Sequence, residues 1–284
     1  MSKIIDGKEV SAAVKNRVAG EVKELNKSGI SVCLAVILVG SDPASKIYVA
    51  NKKKTCEQLG IISKEYLLPA DTTQKELLSL IEQLNNDKTV NGILCQLPLP
   101  KTIDEKTVIS AISPEKDVDA FHPVNVGKIM IGDYDFLPCT PAGIMEMLKY
   151  YNIEVAGRNC VVIGRSNIVG KPMSMLLLQK NGTVTICHSK TENLEKVTAG
   201  ADILVSAVGK ANFVTANMVK DGAVVIDVGM NRDKNGKLCG DVDFNNVSEK
   251  SSYITPVPGG VGPMTIATLM QNTLTAAKKQ NNII

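Results

Sequence analysis

Residues 164–172 read GRSNIVGKP, set between the apolar run NCVVI (159–163) and the helix-like MSMLLLQKNG (173–182). Strand, glycine-bearing turn, then helix is the context of a dinucleotide-binding loop. In its G-x-G-x-x-G pattern the glycines serve the tight turn, close backbone approach to phosphate and helix packing. This stretch departs from the pattern twice: Ser166 stands where the second glycine belongs, and Gly170 comes one residue late. Gly164 still permits a tight turn, Pro172 lies where a missing N–H costs little, and the helix N-terminus offers N–H groups to a phosphate. A hydroxyl at Ser166 can replace close backbone approach with a hydrogen bond. The plain alternative is a strand–turn–helix corner of any α/β protein.

The next strand-like run, TVTICHSK (183–190), narrows the choice. A site for NAD carries an acidic residue at this strand end to hold the ribose hydroxyls. Here the positions are His188, Ser189 and Lys190, with Arg165 in the preceding loop. Two cationic side chains and a hydroxyl suit a 2′-phosphate, and no carboxylate is present to repel it. The loop therefore points to NADP. Ser189-x-x-Glu192 also fits a helix capping box, and both uses can coexist.

Strand-like and helix-like runs alternate on both sides of this loop. VCLAVILVG (32–40) reads as a buried strand. The following run, 43–60, reads as a helix, with Pro43 in its first turn and Gly60 at its C-cap. ISKEYLL, the helix-like TQKELLSLIEQLNN and the strand GILCQLPLP complete a first series. A second series starts near residue 140 and runs through AGIMEMLKYYN, NCVVIG, PMSMLLLQKNG, TVTICH, ADILVSAVG and AVVIDVGMN. Asn235-Gly236 signals a hairpin, and PMTIATLMQNTLTAAKKQ (263–280) reads as a final helix. Two such series imply two α/β domains with parallel sheets. The boundary falls between KDVDAFHPVNVG (116–127) and PCTPAG (138–143), where few helical patterns persist. In such folds ligands bind outside the carboxyl ends of the strands, so residues that follow strands carry the information.

Composition removes several classes of function. A chain of 284 residues with 44% hydrophobic and 21% charged residues is an ordinary globular protein. A net charge of +3, evenly spread, does not suggest nucleic acid or a membrane surface as partner. No apolar run approaches the roughly 18 residues of a membrane span, and MSKIIDGKEV lacks a signal-peptide core. Seven widely spaced cysteines and two histidines supply no zinc-ligand set. The expectation is a reduced, cytoplasmic protein without a metal.

Candidate chemistry lies mostly in the first series. Tyr48 and Lys52 are four residues apart and share one helix face. Lys53 and Lys54 read as a solvated basic face. A lysine acting as a base gains if burial and neighbouring cations depress its pKa from the usual ~10.4. Gln96 ends the strand GILCQ, where it either meets solvent or reaches a ligand. Asp117 and Asp119 lie in KDVDAFHP, a setting where aspartates usually serve as caps or turns. PGGVGPMT (258–265) carries more glycine than a plain connector needs, and fits either a close backbone approach to a ligand or a helix-entry turn.

Taken in order, YVANKKK, QLPLP, KDVDAFHPVN, PCTPAG, GRSNIVGKP and TPVPGGVGPMT resemble the motifs of the bifunctional methylenetetrahydrofolate dehydrogenase/methenyltetrahydrofolate cyclohydrolase family over essentially the whole chain. The resemblance implies a homodimer of two-domain α/β subunits. It places a folate-binding catalytic domain at 1–138, a Rossmann-like NADP-binding domain at 139–262, a cleft between them, and a final helix, 263–284, packed back on the first domain. It implies that Tyr48 and Lys52 are catalytic, with Lys52 central to the cyclohydrolase step and tuned by Gln96, and that Asp119 anchors the folate. Leu97, Pro98, Pro258, Gly259, Gly260 and Gly262 would line the folate site. Gly164, Arg165, Ser166, Ser189 and Met230 would hold NADP, Met230 through its backbone and standing where many relatives have isoleucine; Lys190 joins them on the charge reading above. Two other readings share these residues: a monofunctional dehydrogenase using NAD or NADP, and a silent dinucleotide-binding module. A silent module has no need of Tyr48, Lys52, Gln96 and Asp119 together.

Overall fold

In the computed structural model, which describes residues 2–284, the chain opens with a two-residue strand, β1 (Lys3–Ile4), and a long helix, α1 (Gly7–Lys27). There follow β2 (Cys33–Val39), α2 (Pro43–Leu59), β3 (Ile62–Leu68), α3 (Gln74–Asn86) and β4 (Gly92–Cys95). Helices α4 (Glu105–Ala111), α5 (Pro123–Ile131) and α6 (Cys139–Tyr150) lead to β5 (Asn159–Ile163) and α7 (Gly170–Gln179). Next come β6 (Thr183–Cys187), α8 (Leu194–Thr198), β7 (Ile203–Ser206) and β8 (Val224–Asp227). The chain ends with β9 (Asn231–Arg232), β10 (Leu238–Cys239), α9 (Phe244–Ser248), β11 (Tyr253–Ile254) and α10 (Val261–Gln280). These elements pack as two units. One holds Ala13–Leu137 and Ile266–Ile284, the other residues 2–12 and Pro138–Thr265.

The first unit is built on a parallel sheet ordered β3-β2-β4. Every residue of β2 is buried, as its unbroken apolar sequence requires of a central parallel strand. Its alternate residues Cys33, Ala35, Ile37 and Val39 pack with Leu77, Ile81 and Leu84 of α3 and Val108 of α4. Local signals fix the helix ends. Asp42 accepts a hydrogen bond from the Ser45 N–H at the start of α2, and Gly60 closes that helix in the left-handed region at φ 73°. Thr73 and Glu76 form a complete capping box on α3, and such a cap contributes about 1 kcal/mol.

The later turns of α10 belong to this unit. Lys278 pairs with Glu21 and Lys279 with Asp135. The Gln280 amide exchanges hydrogen bonds with Asn91. Buried Asn272 donates through Nδ2 to the carbonyls of Val118 (2.8 Å) and Leu137 (2.9 Å), so α10 fixes the backbone next to Asp119. Asn272→Leu leaves both carbonyls without that donor and is expected to cost about 1–3 kcal/mol of stability. A thermal melt, read with the folate KM, checks this, and an unchanged melting point would refute it.

The second unit carries a six-stranded parallel sheet ordered β1-β11-β8-β7-β5-β6. Strand order turns back at β5, which has β6 on one side and β7 on the other. The loops leaving β5, β7 and β8 therefore open side by side at the carboxyl edge. Asn235-Gly236 makes the expected hairpin between β9 and β10, with Gly236 at φ 77°.

Three expectations need correction. Residues 2–12 belong with the six-stranded sheet rather than with the first unit, because β1 pairs in parallel with β11 and the Gly7 N–H donates to the Gly259 carbonyl at 2.9 Å. The stretch expected to keep few helical patterns contains α5, started by His122 and Pro123 and closed by Gly132 at φ 80°. Helix α10 begins at Val261, two residues before the proline expected to start it. The two units divide at Leu137/Pro138.

Candidate functional site

At the carboxyl end of β4 the Gln96 N–H donates to the Ile37 carbonyl (2.9 Å), extending the β2–β4 ladder by one residue. The side chain of Gln96 therefore leaves the sheet at its open edge. Its Oε1 accepts from the Lys52 ammonium at 2.7 Å, while its Nε2 donates to the Leu97 carbonyl at 2.7 Å. The second bond fixes the amide orientation, so the oxygen is the atom offered to lysine. Lys52 is only 7% exposed, unusual for a residue type almost always solvated. Tyr48, one turn earlier on α2, is 37% exposed, and partial burial raises its phenol above the ordinary range. Lys53 reaches Glu65 at 3.3 Å on the surface, and Lys54 is exposed, so both are the solvated face expected of them.

The two aspartates of KDVD separate cleanly. Asp117 is buried and accepts from the His122 N–H (2.8 Å) and Asn125 Nδ2 (2.8 Å), which ties the start of α5 to the β4 edge. Burial raises its carboxyl above the usual range. Asp119 is half-buried and close enough to the end of β4 for its charge to act on Cys95. Burial first, and Asp119 second, push that thiol up to about 12. One unit thus brings Lys52, Gln96 and Asp119 to one strand end, with Tyr48 a turn from Lys52. Leu97 is half-buried and Pro98 exposed beside them.

In the other unit, Gly164 adopts φ 136°, and a Cβ there would stand 2.5 Å from the Ala207 carbonyl oxygen. A Cβ on Gly170 would collide with the Gly164 carbonyl. Both glycines are thus demanded by the corner itself, and the late position of Gly170 follows from where α7 crosses the end of β5. Ser166 Oγ accepts from the N–H groups of Val169 (3.1 Å) and Gly170 (3.3 Å). Two donors expected to face a phosphate are therefore taken by Ser166, whose own hydroxyl proton remains to donate. Arg165, Ser189 and Lys190 are exposed. The capping box considered at Ser189–Glu192 does not form. Instead Thr191 Oγ1 accepts from the His188 N–H (2.8 Å), His188 Nδ1 accepts from the Lys190 N–H (3.2 Å), and α8 starts only at Leu194. This turn presents Ser189 and Lys190 outward. Met230, 52% exposed, follows β8. Glycines, hydroxyl and cations at one sheet edge fit a dinucleotide with an extra phosphate.

The glycine-rich stretch has a partly internal explanation. Gly259 sits at φ 105°, a Cβ on Gly260 would stand 2.5 Å from the Pro256 carbonyl, and one on Gly7 would collide with the Gly260 carbonyl. Gly262 has open space around it, and Pro258 is exposed.

Sequence reading missed two buried carboxylates. Asp227 accepts from the N–H groups of Gly229, Asp241 and Val242, and burial raises it to about 6 against those bonds. Asp241 accepts backbone and side-chain donors from the loops after β7 and β8. The available signal was the pairing of each with glycine, Gly229 and Gly240, where a Cβ would strike a carboxylate. Among the described residues no cluster of His, Cys, Asp and Glu could hold a metal ion, and no helix is long and apolar enough to cross a membrane.

Comparison with known proteins gives a consistent result. The model of the tetrahydrofolate dehydrogenase/cyclohydrolase catalytic domain matches residues 5–119, and that of the NAD(P)-binding domain matches 138–281. The bifunctional protein FolD of Acetivibrio thermocellus is 61% identical over 279 residues, covering 98% of both chains. That of Bacillus subtilis is 58% identical over 276 residues, covering 97% of this chain and 98% of its own. Among solved structures, the bifunctional methylenetetrahydrofolate dehydrogenase/cyclohydrolase of Campylobacter jejuni superposes with a TM-score of 0.96 at 51% identity, covering 98% of this chain and 99% of that one. The Trypanosoma brucei enzyme, complexed with NADP cofactor and inhibitor, gives 0.93 at 38% identity, covering 98% of each.

Proposed function

The chain belongs to the tetrahydrofolate dehydrogenase/cyclohydrolase family, and on that premise we propose that Lys52, Gln96, Tyr48 and Asp119 form its folate site and that Gly164–Ser166, Ser189, Lys190 and Met230 hold its cofactor. The enzyme is bifunctional. It oxidises 5,10-methylenetetrahydrofolate to the 5,10-methenyl form with NADP, then hydrolyses that product to 10-formyltetrahydrofolate.

Bound NADP supplies the hydride acceptor for the first step. The protein's task in that step is orientation, because both nitrogens flanking the methylene carbon stabilise the cation that remains. Asp119 accepts paired hydrogen bonds from the amino-pyrimidine edge of the pterin, which fixes its pose. Leu97 and Pro98, at the same strand end as Gln96, line the substrate. The second step adds water and opens the ring, and so requires protons to move. Lys52 is the titratable group in place to relay them, held by Gln96. The 2.7 Å contact between Lys52 and Gln96 carries this reading. An absorbance assay with methylenetetrahydrofolate and NADP tests it by following methenyl formation and decay. Absence of methenyl turnover in the purified protein would defeat it.

The catalytic domain in this reading is the three-stranded unit with the later turns of α10, and the cofactor domain is the six-stranded unit. We further propose that the enzyme is a homodimer. Edge strand β6 and neighbouring α7 leave Ile186 and Leu178 exposed at 37% and 53%, and sheet edges of this kind invite pairing. The free, mostly buried cysteines support a reducing, cytoplasmic setting.

Arg165→Ala and Lys190→Ala are each expected to weaken NADP more than NAD, by about 1–3 kcal/mol for a lost charge-assisted bond. KM values for the two cofactors in each variant check this. Equal losses for both cofactors would remove the 2′-phosphate from the argument.

A further inference from the structure

Asp241 is fully buried, and its carboxylate gathers the loops at the carboxyl ends of two strands. Oδ2 accepts from the N–H groups of Val208 (2.7 Å) and Gly209 (3.2 Å) and from Ser206 Oγ (3.3 Å). Oδ1 accepts from the Lys210 N–H (2.9 Å) and from Asn231 Nδ2 (2.9 Å). Three successive backbone N–H groups converging on one anion form a nest, the backbone device that elsewhere cradles phosphate. Here the protein's own carboxylate fills it. Those donors are therefore closed to a ligand phosphate, and the loop is held in one shape before any ligand arrives.

The position of this nest in the sheet gives it a role. Ser189 and Lys190 at the β6 end receive the 2′-phosphate half of the cofactor, and the Gly164 turn above β5 receives its phosphates. Strand order then leaves β7 and β8 to receive the other half. Asn231 brings the segment after β8 to the same carboxylate, and Gly229 lacks the Cβ that would displace it. Asp227 holds the Asp241 N–H at 2.9 Å, so the carboxylate is itself anchored.

We propose that Asp241 is a positioning residue for the nicotinamide half of NADP, setting the backbone of residues 208–210 and 229–231 against which the ring is placed. The proposal rests on reading the Gly164 loop as the NADP cradle. It does not restate that reading, since Asp241 meets the cofactor only through the loops it shapes.

The test uses full-length Asp241→Asn, which offers one acceptor oxygen and one donating amide to a set of donors. Four quantities are measured: hydrogen exchange at amides 208–210, affinity for NADP without folate, affinity for 2′,5′-ADP (which lacks the nicotinamide), and the rates of both catalytic steps. The expected result is lost protection at 208–210, NADP binding weakened at least tenfold, and 2′,5′-ADP binding and hydrolysis of supplied methenyltetrahydrofolate within twofold of wild type. NADP affinity and dehydrogenase kinetics within twofold of wild type would overturn the proposal. So would parallel loss of NADP and 2′,5′-ADP, which marks general damage. If Asp241→Asn does not fold, Asn231→Ala removes a single donor and is expected to show the same split at about threefold, and no split there overturns the proposal equally. Unchanged 2′,5′-ADP affinity in Arg165→Ala and Lys190→Ala would instead sink the cradle reading.

Discussion

Lys52→Met is expected to abolish the cyclohydrolase step while leaving a measurable dehydrogenase, so that methenyltetrahydrofolate accumulates. Methionine keeps the length and apolar stem of lysine and fills the same buried space, so the fold is spared an overt cavity. What it removes is the ammonium that Gln96 Oε1 accepts from at 2.7 Å. Positioned proton transfer contributes on the order of 10²–10⁴ in rate, and hydrolysis should fall by about that factor. Hydride transfer makes no such demand and should lose far less, through the altered pose alone. Lys53→Met is the matched control. It breaks only the surface contact with Glu65, and exposed pairs contribute ~0–1 kcal/mol, so both activities should stand. Paired assays of both steps across pH check the set. Retained hydrolysis in Lys52→Met would overturn the mechanism.

Asp119→Ala should impair both activities together, because both use one folate pose. Losing a carboxylate that accepts paired hydrogen bonds is expected to cost about 3 kcal/mol, or roughly 100-fold in folate kcat/KM. The structure sharpens the control. Asp117→Ala removes a buried acceptor from the His122 N–H and Asn125, so its main effect should be a lower melting temperature, about 1–3 kcal/mol in stability. Half-buried Asp119 should show the reverse, a large kinetic loss with little change in melting. If the two variants exchange these behaviours, the folate anchor has been placed two residues too late.

Much of the fold was legible because its central elements announce themselves. β2 is an unbroken apolar run, and α2 and α3 carry their caps in Asp42, Gly60, Thr73 and Glu76. The Gly164 corner was legible as a strand–turn–helix corner, although only coordinates explain why its last glycine is late. Illegible parts depend on partners distant in sequence. β1 is two residues long and has no periodicity of its own, since its identity comes from β11 some 250 residues later. Helix α5 hid among prolines and glycines because its start depends on His122 and on Asp117, which holds the His122 N–H. Asp227 and Asp241 escaped for the same reason. A carboxylate satisfied by backbone N–H groups leaves no charged partner in the sequence to mark it.

The exchange of chain ends between the two units has a consequence for biosynthesis. Residues 2–12 complete the six-stranded sheet, and Ile266–Ile284 complete the three-stranded unit. During synthesis the β2, β3 and β4 strands can pair early, but the bonds from α10 to Asn91, Val118 and Leu137 form only once the end of the chain has emerged. The opening strand meanwhile stays without its β11 partner until almost the whole chain has emerged. Long-range closure of this kind is slow and leaves unpaired strand edge and apolar surface open while it is pending. A cut at residue 137/138, the natural place to divide the chain on paper, would leave each piece short of a segment held by the other. Neither half of this enzyme is therefore a self-sufficient cassette, and fusions or truncations have to keep both ends of the chain.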